Sequence, residues 1–120
     1  MQQITFLQVD DLTRTDEFYG NHLGLEIVLD QGACHIYRVG EDAFLGFCDH
    51  KDGPAPDGII VTLVRDDVDA FCAQLEEAGV EIESGPKANE RFQIYQAFVR
   101  DPDGYLIEIQ RFDDPRWPQT

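Results

Sequence analysis

The strongest constraint on this chain is that it repeats itself. The stretch VDDLTRTDEFYGNHLGLEI from Val9 is answered by VRDDVDAFCAQLEEAGVEI from Val64. Both run from paired aspartates through a helical stretch to Gly, an aliphatic residue, Glu and Ile. Gly24 and Gly79 lie 55 positions apart, Asp10 and Asp66 lie 56 apart, and EDAFLGF from Glu41 echoes PDGYLIEI from Pro102. Self-similarity at a fixed spacing means two copies of one supersecondary unit.

Each copy reads the same way. QITFLQV (3–9) and GIIVTLV (58–64) are rich in β-formers and read as opening strands. A helix follows each. In the second copy Val68, Phe71, Cys72, Leu75 and Ala78 form one apolar stripe at helical spacing, with Asp66 or Asp67 to cap the start and Gly79 to end it. In the first, Thr13 can cap, Phe18, Tyr19 and Leu23 turn inward, and Gly24 stops the helix. Three more strands follow: LEIVLD, CHIYRV and AFLGFC in copy one, VEIES, FQIYQAFV and YLIEIQRF in copy two. The expected unit is βαβββ, twice, in the α+β class. One domain over residues 1–120 is anticipated, with module one at 1–50, a polar Gly/Pro junction loop at 49–58, module two at 58–112 and a tail at 113–120 that holds Trp117.

Composition narrows the role. The net charge of −15 excludes a basic nucleic-acid surface. The acids are spread, 11 against 3 bases in residues 1–57 and 13 against 6 in residues 58–120, which reads as a solvated acidic surface. No apolar run approaches membrane-spanning length and no basic-then-apolar leader opens the chain, so a cytoplasmic location is expected. Three widely spaced cysteines, Cys34, Cys48 and Cys72, without a CxxC, read as reduced thiols used as small hydrophobes.

Strand alternation sorts side chains by face. A hairpin with Gly40-Glu41 at its tip would pair His35 with Gly46, and put His35, Tyr37, Phe44, Gly46 and Cys48 on one side. Ile36, Leu45, Phe47 and Cys34 would then take the helix-packed side. A two-residue turn at DPDG would set Ala97 opposite Glu108, with Tyr95 on the same face.

The tandem βαβββ pattern with DL…FY…LGLE early and RDPDGYLIEI late resembles the vicinal oxygen chelate superfamily, which includes glyoxalase I, bleomycin resistance proteins and extradiol dioxygenases. The resemblance covers nearly the whole chain. It implies that each module curls into a half-barrel, that the sheets enclose a cavity, and that the protein forms a homodimer. In the family's enzymes a divalent metal sits in the cavity, held from the first and last strand of each module. Carried over, those positions fall at about Ile4, about Ile60, Gly46 (or Phe47 with a slip of one) and Glu108. Of these only Glu108 can bind a metal, whereas a catalytic ion commonly needs about three protein ligands. A substitute metal site using His35 and Glu108 is the alternative.

On the faces so assigned, the implied pocket is lined by Phe6, Gln8, His35, Tyr37, Phe44, Cys48, Thr62, Tyr95, Glu108 and Gln110. Aromatics with a few polar groups are the make-up of a small-molecule site. A buried Glu108 needs a partner, which is a protein donor or a ligand amine; otherwise it stays protonated and can serve as acid or base, with His35 as a second catalytic candidate. The expectation is a metal-free protein of the glyoxalase/bleomycin-resistance type that binds an aromatic or cationic small molecule. The alternative is a divalent-metal-dependent lyase or dioxygenase of the same superfamily.

Overall fold

The computed structural model describes residues 1–50 and 53–118. Its elements run β1 (Gln3–Gln8), α1 (Leu12–Thr15) continuing as a π-helical segment (Asp16–His22), β2 (Glu26–Asp30), β3 (Cys34–Gly40) and β4 (Ala43–Cys48). The second copy follows with β5 (Ile60–Val64), α2 (Val68–Glu77), β6 (Ile82–Asn89), β7 (Ile94–Arg100) and β8 (Leu106–Phe112). They build two four-stranded sheets of identical plan, β1-β4-β3-β2 and β5-β8-β7-β6. In each, the opening strand lies parallel to the closing strand and the other pairs are antiparallel. This is the expected tandem βαβββ architecture. Among the described residues no helix is long and apolar enough to cross a membrane.

The chain divides into two compact units. The first comprises Met1–Asp57 together with Asp101–Gly104, and the second Gly58–Arg100 with Tyr105–Thr120. The DPDG turn, though it joins two strands of the second sheet, therefore packs with the first unit. The Tyr19 hydroxyl donates to Asp101 Oδ2 at 2.8 Å, and the Asp10 amide donates to Asp103 Oδ1 at 3.0 Å.

Helix ends follow the sequence with two corrections at the N-termini: Asp67 stands at the start of α2, but its side chain accepts from Arg65 and makes no capping bond. Asp11 caps α1, its side chain accepting from the Thr13 amide at 2.9 Å, so the cap is two residues earlier than Thr13. Gly24 and Gly79 both end their helices at positive φ, as a left-handed C-terminal turn requires.

Each unit has its core between helix and sheet. In the first, Tyr19 lies against Phe47 with ring centroids 4.2 Å apart, and Tyr37 meets Phe47 edge-on at 5.8 Å. Leu7, Val9, Phe18 and Leu23 complete it. In the second, Val68, Phe71, Cys72 and Leu75 of α2 are buried, as are Ala97, Val99, Ile107 and Ile109 of the sheet.

Strand register corrects the facing of both hairpins in the same direction. In the first, Gly40 pairs with Ala43, and the register shifts between Arg38 and Gly40, so His35 pairs with Phe47, Tyr37 with Leu45 and Ile36 with Gly46. One residue taken up by the bulge turns every later side chain to the opposite face. His35 and Tyr37 thus stand on the helix side with Leu45 and Phe47. Cys34 and Ile36 stand on the other side with Phe44, Gly46 and Cys48. In the second hairpin Arg100 pairs with Leu106, and the five residues between them make the turn. Phe98, not Ala97, is opposite Glu108, and Tyr95 faces the helix, where its hydroxyl donates to Asp69 of α2 at 2.6 Å.

The cysteines require a second correction. Cys34 and Cys48 are disulfide-bonded across β3 and β4, with Cα atoms 4.2 Å apart, rather than serving as separate thiols. The register shift that turned His35 away is what brought these two residues opposite one another. Cys72 is the free cysteine, buried on α2 as its stripe position predicts, and burial pushes its thiol pKa up.

Candidate functional site

Each sheet has one face against its helix and a second face. The chemistry of the second faces differs between the units. In the second unit that face carries Ile60, Thr62 and Val64 of β5, Leu106, Glu108 and Gln110 of β8, and Gln96 and Phe98 of β7, set side by side by the registers of β5/β8 and β7/β8. Ile60 and Val64 are about half exposed, at 52% and 50%. Between them Glu108 is buried.

The carboxylate of Glu108 is held entirely by neutral donors. Thr62 Oγ1 donates to Oε1 at 2.8 Å and Gln96 Nε2 donates to Oε2 at 3.1 Å. Gln110, in the amide orientation that satisfies both of its ends, donates to the two oxygens at 2.8 and 3.0 Å. Gln96 is itself steadied by Asn89, whose Nδ2 donates to its Oε1 at 3.1 Å. Three uncharged side chains hydrogen-bond this buried carboxyl group, and no cation is among them.

The first unit's second face is different. Ile4, Phe6 and Gln8 of β1 lie beside Phe44, Gly46 and Cys48 of β4. The Phe6 ring packs directly on Gly46, where a Cβ would overlap Cδ1 and Cε1 of the ring. Gly46 is there because an aromatic ring occupies the space a side chain would need. Phe6 remains 47% exposed, and Arg38 stacks over the neighbouring Phe44 ring at 5.0 Å.

His35 and Tyr37 belong to a polar cluster on the helix side. His35 Nδ1 lies 2.9 Å from Asp16 Oδ1, and Nε2 lies 3.3 Å from Asp30 Oδ1. The Tyr37 hydroxyl also donates to Asp16, and burial together with that carboxylate raises its pKa far above the usual phenol value. A cavity of 520 Å³ opens beside this cluster, lined by Thr13, Asp16, Glu17, Gly20 and Leu25 among others.

The residues picked out from the sequence therefore fall into three groups. Thr62, Glu108 and Gln110 come together on the second unit's face. Phe6, Gln8, Phe44 and Cys48 come together on the first unit's face, with Cys48 tied into the disulfide. His35, Tyr37 and Tyr95 turn to the helix sides. Gln96 and Phe98 were not anticipated. The signal that finds them is the length of the 101–105 turn, which puts even-numbered residues of β7 beside Glu108.

The positions where a metal would be gripped do not fit one. Ile4 and Ile60 have no donor side chain and Gly46 has no side chain at all, which leaves Glu108 as the one ligand-bearing position of the four. His35, the substitute, has both ring nitrogens directed at carboxylates of its own unit. Among the described residues no group of three or more His, Cys, Asp or Glu is arranged to hold a metal ion.

Comparison with known proteins agrees with the fold. The family model of the glyoxalase/bleomycin resistance protein/dioxygenase superfamily matches residues 2–109. The chain is 31% identical over 123 residues to a probable lactoylglutathione lyase of Vibrio cholerae, covering 88% of this chain and 86% of that protein. Among solved structures it is similar to TnmS3, an antibiotic-binding protein from Streptomyces sp. CB03234, with 30% identity, a TM-score of 0.79, and coverage of 92% of this chain and 94% of that one. A lactoylglutathione lyase from Agrobacterium tumefaciens shares the fold with a TM-score of 0.75 at 22% identity, covering 98% and 97% of the two chains.

Proposed function

The chain belongs to the glyoxalase/bleomycin resistance protein/dioxygenase superfamily, and from that premise we propose that it binds an aromatic or cationic small molecule without using a metal. The observation that carries this reading is Glu108: a buried carboxylate on a sheet face rimmed by Ile60, Val64, Leu106 and Phe98, and held only by neutral donors. An amine or other cation arriving there meets a preorganised negative charge in apolar surroundings, where charge-assisted hydrogen bonds are strongest. The likeness to an antibiotic-binding protein at 30% identity supports the same class of activity.

The physical logic is that of a binding site. Thr62, Gln96 and Gln110 fix the carboxylate in one orientation, so little side-chain entropy is lost when a ligand docks. The apolar rim supplies contact area, and the charge supplies orientation. A homodimer in a cytoplasmic setting completes the proposal.

The test is a binding screen by calorimetry with a planar aromatic cation, proflavine, and a planar aromatic anion, anthraquinone-2-sulfonate. The cation is expected to bind, and Glu108→Gln to weaken it by roughly 10- to 100-fold, the equivalent of one charge-assisted hydrogen bond. Equal affinity of the two proteins for the cation would remove Glu108 from the site.

A second reading is favoured by one observation, the 31% identity to a probable lactoylglutathione lyase. It makes the protein a lyase or dioxygenase dependent on a divalent metal. Elemental analysis of protein purified without an immobilised-metal column decides between the two: a stoichiometric transition ion, with activity abolished by a chelator, establishes the lyase reading in place of the metal-free one.

A further inference from the structure

The Cys34–Cys48 bridge is not accounted for by ligand binding, and its placement is informative. The two residues are direct partners in the antiparallel β3/β4 register, at the start of one strand and the end of the other. The bridge closes a loop of sequence separation 14, and that loop is a hairpin already paired from His35–Phe47 to Gly40–Ala43. The core of the unit, around Tyr19, Tyr37 and Phe47, lies on the opposite face of the sheet. Opening the bridge would therefore leave both the ladder and the core in place.

Its ends are also anchored without it. The Cys48 carbonyl accepts from the Val9 and His50 amides, each at 2.9 Å, the Cys34 carbonyl accepts from the Gln31 amide at 2.8 Å, and the Asp49 amide donates to the Ala33 carbonyl at 3.1 Å. The two residues differ in exposure: Cys34 is partly exposed, whereas Cys48 is buried at 7%. Thiol–disulfide exchange would accordingly begin at the more exposed residue, Cys34, with the Cys48 sulfur as leaving group.

We propose that Cys34 and Cys48 form a reversible redox pair, an exchange site for small thiols and disulfides on the same sheet face as Phe6, Gln8 and Gly46. In the opening direction a dithiol thiolate attacks the Cys34 sulfur, the Cys34–Cys48 bond breaks, and Cys48 leaves as a thiolate that takes up a proton. The second sulfur of the dithiol then displaces Cys34. Two electrons and two protons have passed, giving two protein thiols and one cyclic disulfide. In the closing direction oxidised glutathione accepts the same electrons and leaves as two molecules of glutathione. Because Cys48 is the register partner of Gln8, the redox state alters the wall of the first unit's face. Intracellular disulfides are mostly transient or redox-sensing, so a reversible pair is also compatible with a cytoplasmic setting.

Cys72 supplies the control, since it is 1% exposed and becomes reactive only when the second unit's core opens. The native full-length protein is treated with dithiothreitol, alkylated with iodoacetamide and weighed intact. Two labels, on Cys34 and Cys48, are expected with Cys72 unlabelled. A second portion, reduced, freed of dithiothreitol and given oxidised glutathione before any iodoacetamide, should return the unlabelled mass, and in unalkylated protein the amide resonances should shift between the two redox states at Gln8, Cys34 and Gly46 to Cys48 and not in α2. Labelling of Cys34 and Cys48 only under conditions that also label Cys72 would make the bridge a structural staple and overturn the proposal. So would thiols that oxidised glutathione fails to close. A Cys34→Ser/Cys48→Ser protein must lose the resonance response to both reagents; a response that persists places the reactive group elsewhere and overturns the proposal equally.

Discussion

The two units are one design carried out twice, and they differ most on the sheet face turned away from the helix. The second unit holds a buried carboxylate there, Glu108, fixed by Thr62, Gln96 and Gln110. The first has an aromatic ring lying on a glycine, Phe6 on Gly46, and a disulfide beside it. The helix-facing sides both bury an apolar core, because both units need one to fold, and in the first that side also carries the cluster of His35 and Tyr37 around Asp16. Duplication thus leaves the packing faces constrained and frees one second face to change its chemistry while the other keeps a carboxyl group.

The sharpest way to break this comparison is to ask whether the two faces of the first sheet differ in energetic weight as the register requires. Phe47, fully buried against Tyr19 and Tyr37, should cost about 3–5 kcal/mol when changed to Ala. Phe44, three residues earlier on the opposite face and only partly buried, should cost about 1 kcal/mol or less. Urea unfolding followed by circular dichroism measures both. Similar losses at the two positions would mean that the face turned away from the helix carries as much of the fold as the core does.

That register marks the boundary of what the sequence made legible. The duplication, the order of elements, the helix stripe Val68–Phe71–Cys72–Leu75 and the exceptional standing of Glu108 all follow from periodicity and spacing, which local rules govern. Which face His35, Tyr37 and Tyr95 take does not, because it depends on one residue in a turn. In the first hairpin that residue goes into a bulge before Gly40. In the second it goes into the 101–105 turn, where Asp101 and Asp103 accept from the Tyr19 hydroxyl and the Asp10 amide, far away in sequence. Neither is a local property. The disulfide was missed for the same reason, since Cys34 and Cys48 oppose one another only once the bulge has shifted the strand.

The Phe6–Gly46 contact predicts a coupled pair. Gly46→Ala places a methyl group inside the Phe6 ring and should cost about 1–3 kcal/mol through displacement of that ring. In a Phe6→Ala background the same change should be nearly free, so a double-mutant cycle should return most of the cost as interaction energy. Additive effects would mean that Gly46 is required for its backbone rather than for the ring above it. In the second unit, Thr62→Val removes one of the donors to Glu108 and should lower stability by about 1 kcal/mol, read from the same urea transitions. A neutral outcome would show that Gln96 and Gln110 suffice to hold the carboxylate.

The smallest effect concerns how each unit ties off its last strand. The first does so covalently, at Cys48. The second uses a tail: the Asp113 and Asp114 amides donate to the Gln93 carbonyl, and Trp117 stacks on Phe112 with centroids 3.7 Å apart and planes 9° from parallel. Asp114 organises that tail by accepting from the Arg116 side chain and backbone, which holds its carboxyl pKa down at about 2 against an ordinary 3.8. A depressed carboxylate pKa stabilises the ordered tail above the ordinary value, and the contribution is lost as pH falls through the lowered one. The pair is exposed, so the global transition should hardly move. The chain's one tryptophan reports the local event: Trp117 emission should be flat from neutral pH to about pH 4, then change on the way down to about pH 2. High salt should weaken the pH-4 arrangement, and Asp114→Asn should give the low-pH emission at every pH. A titration midpoint in Trp117 emission near the ordinary carboxylate value would mean that Arg116 does not hold the tail, and that the Phe112 stack alone closes the second unit.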